Sequence, residues 1–161
     1  GCTYVAVGHS ERRSIHNEGD AVVNSKLKAA LKHDLTPIFC IGEELPIREA
    51  GTHVAHVVAQ IQAGLDGFNA NDVKKMVFAY EPVWAIGTGK TATPADAGTV
   101  HTAIRQELKS LAGDRAEGIP ILYGGSVNRG NAAALLAAGA PWPAASPWCS
   151  CWGIGTRALP R

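Results

Sequence analysis

Four short apolar runs, standing 33 to 44 residues apart, constrain this chain more than any other feature. They are Tyr4-Val5-Ala6-Val7, Pro37-Ile38-Phe39-Cys40-Ile41, Met76-Val77-Phe78-Ala79-Tyr80 and Ile119-Pro120-Ile121-Leu122-Tyr123. None alternates apolar with polar residues, so each reads as a strand covered on both faces. Each gap is long enough for a crossover helix. Val23, Leu27, Ala30 and Leu31 recur at helical spacing in the first gap, and Val54, Val57, Val58, Ile61 and Leu65 in the second. In the third gap Thr93 predicts an N-cap, Pro94 the first helical position and Asp96 the third. Ala97, Val100, Ile104, Leu108 and Leu111 are expected on that helix's inner face. A fourth helix is expected from about Asn128, carrying Ala132, Leu135 and Leu136 and stopping at Gly139. Four β-then-α units in succession predict an α/β fold with a parallel sheet. An open doubly wound sheet and a segment of a closed barrel both satisfy that pattern.

The 161 residues would suit one domain. With 46% apolar residues but no run of about 18, the chain shows no membrane span. No secretory signal is visible at its start. A net charge of +1 argues against a nucleic-acid or anionic-lipid partner. The 4 Cys have no framework spacing and read as reduced thiols of a cytoplasmic protein. Residues 140–161 differ from the rest: they gather Trp142, Trp148, Trp152, four prolines, Cys149 and Cys151, without helical or strand period. An irregular tail foreign to the preceding units is expected there, such as an out-of-frame or mis-joined end would give.

In parallel α/β folds the ligand site lies where strands end. Three such segments carry chemistry here. After the first strand come Gly8-His9-Ser10-Glu11-Arg12-Arg13, after the third Glu81 through Lys90, and after the fourth Gly124-Gly125-Ser126-Val127. A carboxylate directly after a buried strand and before a proline, as Glu81 is, is partly desolvated, which raises its pKa toward that of a general base. His9 can donate a hydrogen bond to a carbonyl oxygen and shuttle a proton. Backbone N–H groups at Gly125 and Ser126, beside a helix start and the Ser126 hydroxyl, suit an anion, and Gly87 can add another. Pro82, Val83, Trp84, Ala85, Ile86, Gly87, Thr88, Gly89 and Lys90 read as a lid, with an apolar tip and glycine hinges.

Other candidates read as structural. His53 and His56 are spaced as metal ligands can be but lack a third, so no metal is expected. Cys149-x-Cys151 lacks a second pair at zinc spacing. Cys40 reads as a core thiol. Arg12 and Arg13 would pair at a subunit contact or lie exposed. Trp152-x-Ile154-Gly155-Thr156 echoes Trp84-x-Ile86-Gly87-Thr88 without the strand or Glu-Pro ahead of it, and is read as coincidence.

Together, Tyr4 through Arg13, Cys40-Ile41-Gly42-Glu43, Tyr80 through Lys90 and Tyr123 through Val127 resemble the triosephosphate isomerase family in order and spacing. The resemblance covers about residues 1–139. It implies a (β/α)8 barrel, present here as an incomplete barrel of about strands 4–7. It implies a cofactor-independent isomerase of glycolysis and gluconeogenesis that interconverts dihydroxyacetone phosphate and glyceraldehyde 3-phosphate, usually as a cytosolic homodimer. It makes Glu81 the base and His9 the neutral electrophile, a pairing for which this family is itself the standing example. Glu11 becomes a supporting carboxylate, and Gly87 and Ser126 become phosphate donors under the lid. The family's barrel is about 250 residues long. Its N-terminal Asn-x-Lys, the Gly-Gly of its last strand and the third-strand loop that enters the partner subunit have no counterpart here. The isolated chain is therefore expected to be inactive. The competing expectations are a non-catalytic half-barrel that self-associates or complements an N-terminal part, and another phosphate-binding barrel enzyme.

Overall fold

The computed structural model describes residues 1–138. The expectations on Gly139, on the 140–161 segment with its Cys149-x-Cys151 and its Trp152 echo, and on the side chain of Leu136 lie outside the described residues. The four predicted strands form as β1 (Tyr4–Val7), β2 (Thr36–Ile41), β3 (Val77–Tyr80) and β4 (Ile121–Tyr123). All neighbouring pairs are parallel and the order is β1-β2-β3-β4. This order removes the ambiguity that periodicity leaves. A doubly wound sheet reverses its strand order at a switch point. Here every crossover steps the same way, and uniform crossover handedness then puts all the helices on one face. The sheet is a segment of a barrel wall.

The helical layer follows the strands. Helix α1 (Ser10–His16) and α2 (Asp20–Lys32) lead to β2, and α3 (Leu45–Glu49), α4 (His53–Gly64) and α5 (Ala70–Val73) lead to β3. Helix α6 (Pro94–Ala112) joins β3 to β4, and α7 (Ala132–Ala138) follows β4. Helix α2 packs on α4, α4 on α6 and α6 on α7. The core between layers holds Val23, Leu27, Phe39, Val57, Ile61, Phe78, Val100, Ile104 and Leu108, all fully buried. Each such side chain contributes roughly 1.5–3 kcal/mol by leaving water. Strand β3 is buried along its whole length, as its unbroken apolar run requires. No helix among the described residues is long and apolar enough to cross a membrane.

Two helices depart from expectation. The capping box at α6 forms as read: Thr93 N–H donates to Asp96 at 2.9 Å and Asp96 N–H to Thr93 Oγ1 at 3.2 Å. Its far end differs, with Leu111 39% exposed and Ala112 buried. Four residues, not three, separate successive inner positions from Val100 through Ile104 and Leu108, and the same step reaches Ala112. Helix α7 starts at Ala132, not near Asn128. The Asn128 side chain accepts from Gly130 N–H (2.8 Å) and Asn131 N–H (3.1 Å), Asn131 Oδ1 accepts the Asn128 N–H (2.7 Å), and Ala132 N–H reaches Asn128 O (3.0 Å), so Asn128 caps the turn that leads into α7. The short helices α1, α3 and α5 have too few residues for a period to reveal them.

Candidate active site

The strand register assembles the site. Residues that follow β1, β2, β3 and β4 emerge at one end of the sheet, and each pairs with its neighbour's next layer. Glu81 N–H donates to Ile41 O at 2.7 Å, and Gly124 N–H to Tyr80 O at 2.7 Å. Glu81 therefore stands between Gly42 and Gly124. A β-carbon at Gly42 would overlap the Glu81 carbonyl oxygen, and one at Gly124 would lie 3.0 Å from Glu81 Cγ. Gly42 makes room for the Glu81 main chain and Gly124 for its side chain.

Glu81 is only 5% exposed. Its Oε1 lies 3.1 Å from His9 Nε2, and its Oε2 accepts the Ser10 N–H at 2.9 Å. Burial raises its pKa above the usual carboxylate range, and the Ser10 N–H, His9 and Arg13 oppose that rise. His9 is the N-cap of α1, and its Nδ1 accepts the Glu11 N–H at 3.3 Å. A backbone N–H can only donate, so Nδ1 carries the lone pair and the ring proton sits on Nε2, facing Glu81. The Glu11 side chain is exposed, and the contact Glu11 makes with His9 is through its backbone.

The segment after Glu81 is anchored at its start and exposed at its apex. Val83–Ala85 forms one 3₁₀ turn, and Ala85 is fully buried. Trp84 Nε1 donates to Glu43 Oε1 at 2.8 Å, and Val83 N–H to Glu43 O at 3.1 Å. Ser126 Oγ donates to Ala85 O at 3.0 Å. The Arg48 guanidinium lies over the Trp84 ring at 5.4 Å and pairs with Asp96. So the apolar residues form the root of the segment, not its tip. The exposed apex is Gly87-Thr88-Gly89-Lys90, where Gly87 (φ 69°) and Gly89 (φ 77°) occupy the left-handed region. Beside the root, the Gly125 and Ser126 N–H groups donate to nothing among the described residues. They are loop donors, ahead of the Asn128 turn that leads into α7.

Glu43 was not singled out by the sequence reading. It is completely buried after β2, with Oε1 accepting from Tyr80 Oη at 3.0 Å and from Trp84. The signal was a carboxylate one glycine beyond an apolar strand, close to the pattern that marks Glu81. Cys40 is buried, and desolvation, with Glu81's charge as a lesser cause, pushes its thiol up to about 12, so it stays protonated. Arg12 and Arg13 find partners within the chain: Arg12 pairs with Glu18, and Arg13 with Asp20 at 2.6 Å and with Gly8 O at 2.8 Å. His56 lies against Gln60, and His53 Nδ1 is buried without a partner among the described residues.

The sequence profile of the family described as "Triosephosphate isomerase" matches residues 1–140. The chain is 59% identical over 138 residues to a protein named triosephosphate isomerase from Mycobacterium ulcerans, covering 85% of this chain and 53% of that protein. A protein of the same name from Roseiflexus sp. is 58% identical over 138 residues, covering 85% and 54%. One from Mycobacterium tuberculosis is 57% identical over 138 residues, covering 85% and 53%. The chain spans about half the length of the curated relatives it matches. By fold, by strand-end residues and by sequence, the chain belongs to the triosephosphate isomerase family.

Proposed function

We propose that these residues serve the interconversion of dihydroxyacetone phosphate and D-glyceraldehyde 3-phosphate, a step of glycolysis and gluconeogenesis, in a cytoplasmic enzyme that needs no cofactor and works as a homodimer. One observation carries the reading. A buried carboxylate of raised pKa faces a histidine N–H at the mouth of a parallel sheet, beside two unengaged backbone N–H groups. Glu81 removes a proton from the carbon next to the substrate carbonyl and returns it to the neighbouring carbon. The substrate oxygen replaces Glu81 as acceptor for His9 Nε2–H, which stabilises the enediolate and moves protons between oxygens. Gly125, Ser126 and Gly87 hold the phosphate through N–H groups and the Ser126 hydroxyl. The segment from Pro82 to Lys90 closes over the substrate and excludes water. Glu11 supports the site by presenting its N–H to His9.

The test is a coupled assay with glyceraldehyde 3-phosphate on the full-length protein that contains these residues. Glu81→Gln should lower kcat by on the order of 10²–10⁴-fold with the fold intact. Turnover unchanged by that substitution sinks the proposal.

We further propose that the 161 residues alone show no measurable turnover, because the family's Asn-x-Lys and last-strand Gly-Gly are not among them. Losing one pre-organised donor or charge commonly costs on the order of 10²–10³ in rate. A second reading, a half-barrel that self-associates or complements an N-terminal part, is favoured by one observation: β1 and β4 each pair on one side only in the described sheet.

A further inference from the structure

Helix α4 carries one polar residue deep in its apolar face. Gln60 is 7% exposed, in line with Val57, Ile61 and Gly64. Burying a primary amide is unfavourable unless both its ends are paired. Both are. Gln60 Oε1 accepts the Gly42 N–H at 2.8 Å, and Nε2 lies 3.1 Å from His56 Nε2. The orientation of the amide is forced. A backbone N–H needs an acceptor, so oxygen faces Gly42, the NH₂ faces His56, and His56 Nε2 accepts.

Gly42 is where several constraints meet. It follows the last residue of β2, and its main chain lies against the Glu81 carbonyl with no room for a β-carbon. The next residue, Glu43, holds Val83 by its carbonyl, and Tyr80 and Trp84 by its carboxylate. Whatever fixes Gly42 therefore fixes both the carboxylate and the root of the segment that covers it.

We propose that Gln60, reaching from the helical layer to the Gly42 N–H, is a positioning residue that sets the placement of Glu81 and of the Pro82–Trp84 root. The catalytic meaning of this role rests on the isomerase reading, whereas the positioning itself does not. Gln60 touches no substrate; it acts through Gly42.

The test uses ¹³C and ¹⁵N NMR on the full chain, following the Glu81 carboxyl titration and Gly42 amide exchange. Gln60→Met keeps the volume and removes the acceptor; Gln60→Glu keeps an acceptor. In Gln60→Met the Gly42 amide should exchange about tenfold faster or more, as loss of one buried hydrogen bond implies. The Glu81 midpoint should rise by roughly half a pH unit, because a displaced carboxylate loses part of the Ser10 N–H bond that favours its charged form. Gln60→Glu should restore the slow Gly42 exchange, and only that readout is taken from it, because its added charge itself raises the Glu81 midpoint. Should Gln60→Met fail to fold, Gln60→Asn withdraws the amide by one carbon and is read the same way. A lowered melting midpoint with the Glu81 titration unmoved would show packing alone and overturn the proposal. Neither readout requires turnover, so isomerisation left unchanged by Glu81→Gln would sink the functional reading and leave this test standing.

Discussion

Trp84 Nε1 donates to Glu43 Oε1 at 2.8 Å, tying the segment after β3 to the residue after Gly42 on the neighbouring strand. The acceptor is fully buried, and Tyr80 Oη shares the same oxygen at 3.0 Å. A hydrogen bond to a buried charge is worth more than a neutral one in water. Trp84→Phe keeps most of the ring and removes this donor, and should lower stability by about 1.5–3 kcal/mol in urea unfolding. Glu43→Leu strands both donors and removes the 3.8 Å ion pair with Arg48, which keeps Asp96, so it should cost more, about 3–5 kcal/mol. A Trp84→Phe midpoint equal to wild type would show that the bond contributes nothing to holding the segment.

His101 gives the fold a pH dependence of definite sign. It is buried against the edge of the Tyr80 ring at 5.9 Å, with Nε2 unpartnered among the described residues. Burial, then the charge of Arg105, lowers its pKa from 6.5 to about 4. The unfolded chain takes up a proton near 6.5, and the folded one waits until about 4. Stability is therefore full above 6.5, falls as pH drops from 6.5 to 4, and loses nothing further from this group below that. The loss should be about 3 kcal/mol. Denaturant titrations across this range should show a larger loss of stability in wild type than in His101→Phe. Equal slopes in both would refute the assignment.

Gly64 lies in α4, where helix propensity alone favours alanine by about 1 kcal/mol. Here a β-carbon would overlap the ring of Phe39, which is fully buried. Gly64→Ala should therefore destabilise by about 1–3 kcal/mol, reversing the propensity effect. A gain in melting temperature would show that α4 can lift off β2 at little cost.

β1 and β4 are the outer strands of the described four-stranded sheet. Unpaired strand edges template association with other chains. The 161-residue chain, purified alone, should run as a dimer or a heterogeneous assembly in size-exclusion chromatography with light scattering. A sharp monomer with one cooperative melt would contradict this.

Much of the molecule was legible in local pattern. Four unbroken apolar runs gave the strands, and Thr93, Pro94 and Asp96 gave the start of α6, because strand burial and helix capping are decided within a few residues. The failures were also local in cause. The four-residue inner step of α6 exchanged Leu111 for Ala112. His101 and Arg105 were missed on that same face because polar residues break a hydrophobic pattern. Yet Arg105 is buried with its guanidinium on the Ala116 and Ile119 carbonyls.

What the sequence by itself determined was the kind of unit and the place of the chemistry: βα repeats, with Glu81, His9 and Ser126 at strand ends. Only the tertiary structure decided how these residues face one another. Strand order without reversal made the sheet a barrel wall. Register set Glu81 between two glycines, brought its carboxylate to His9 and Ser10, and gave Glu43 its buried donors. These contacts join segments tens of residues apart. Their partners are fixed by sheet pairing and close packing, which no local period records.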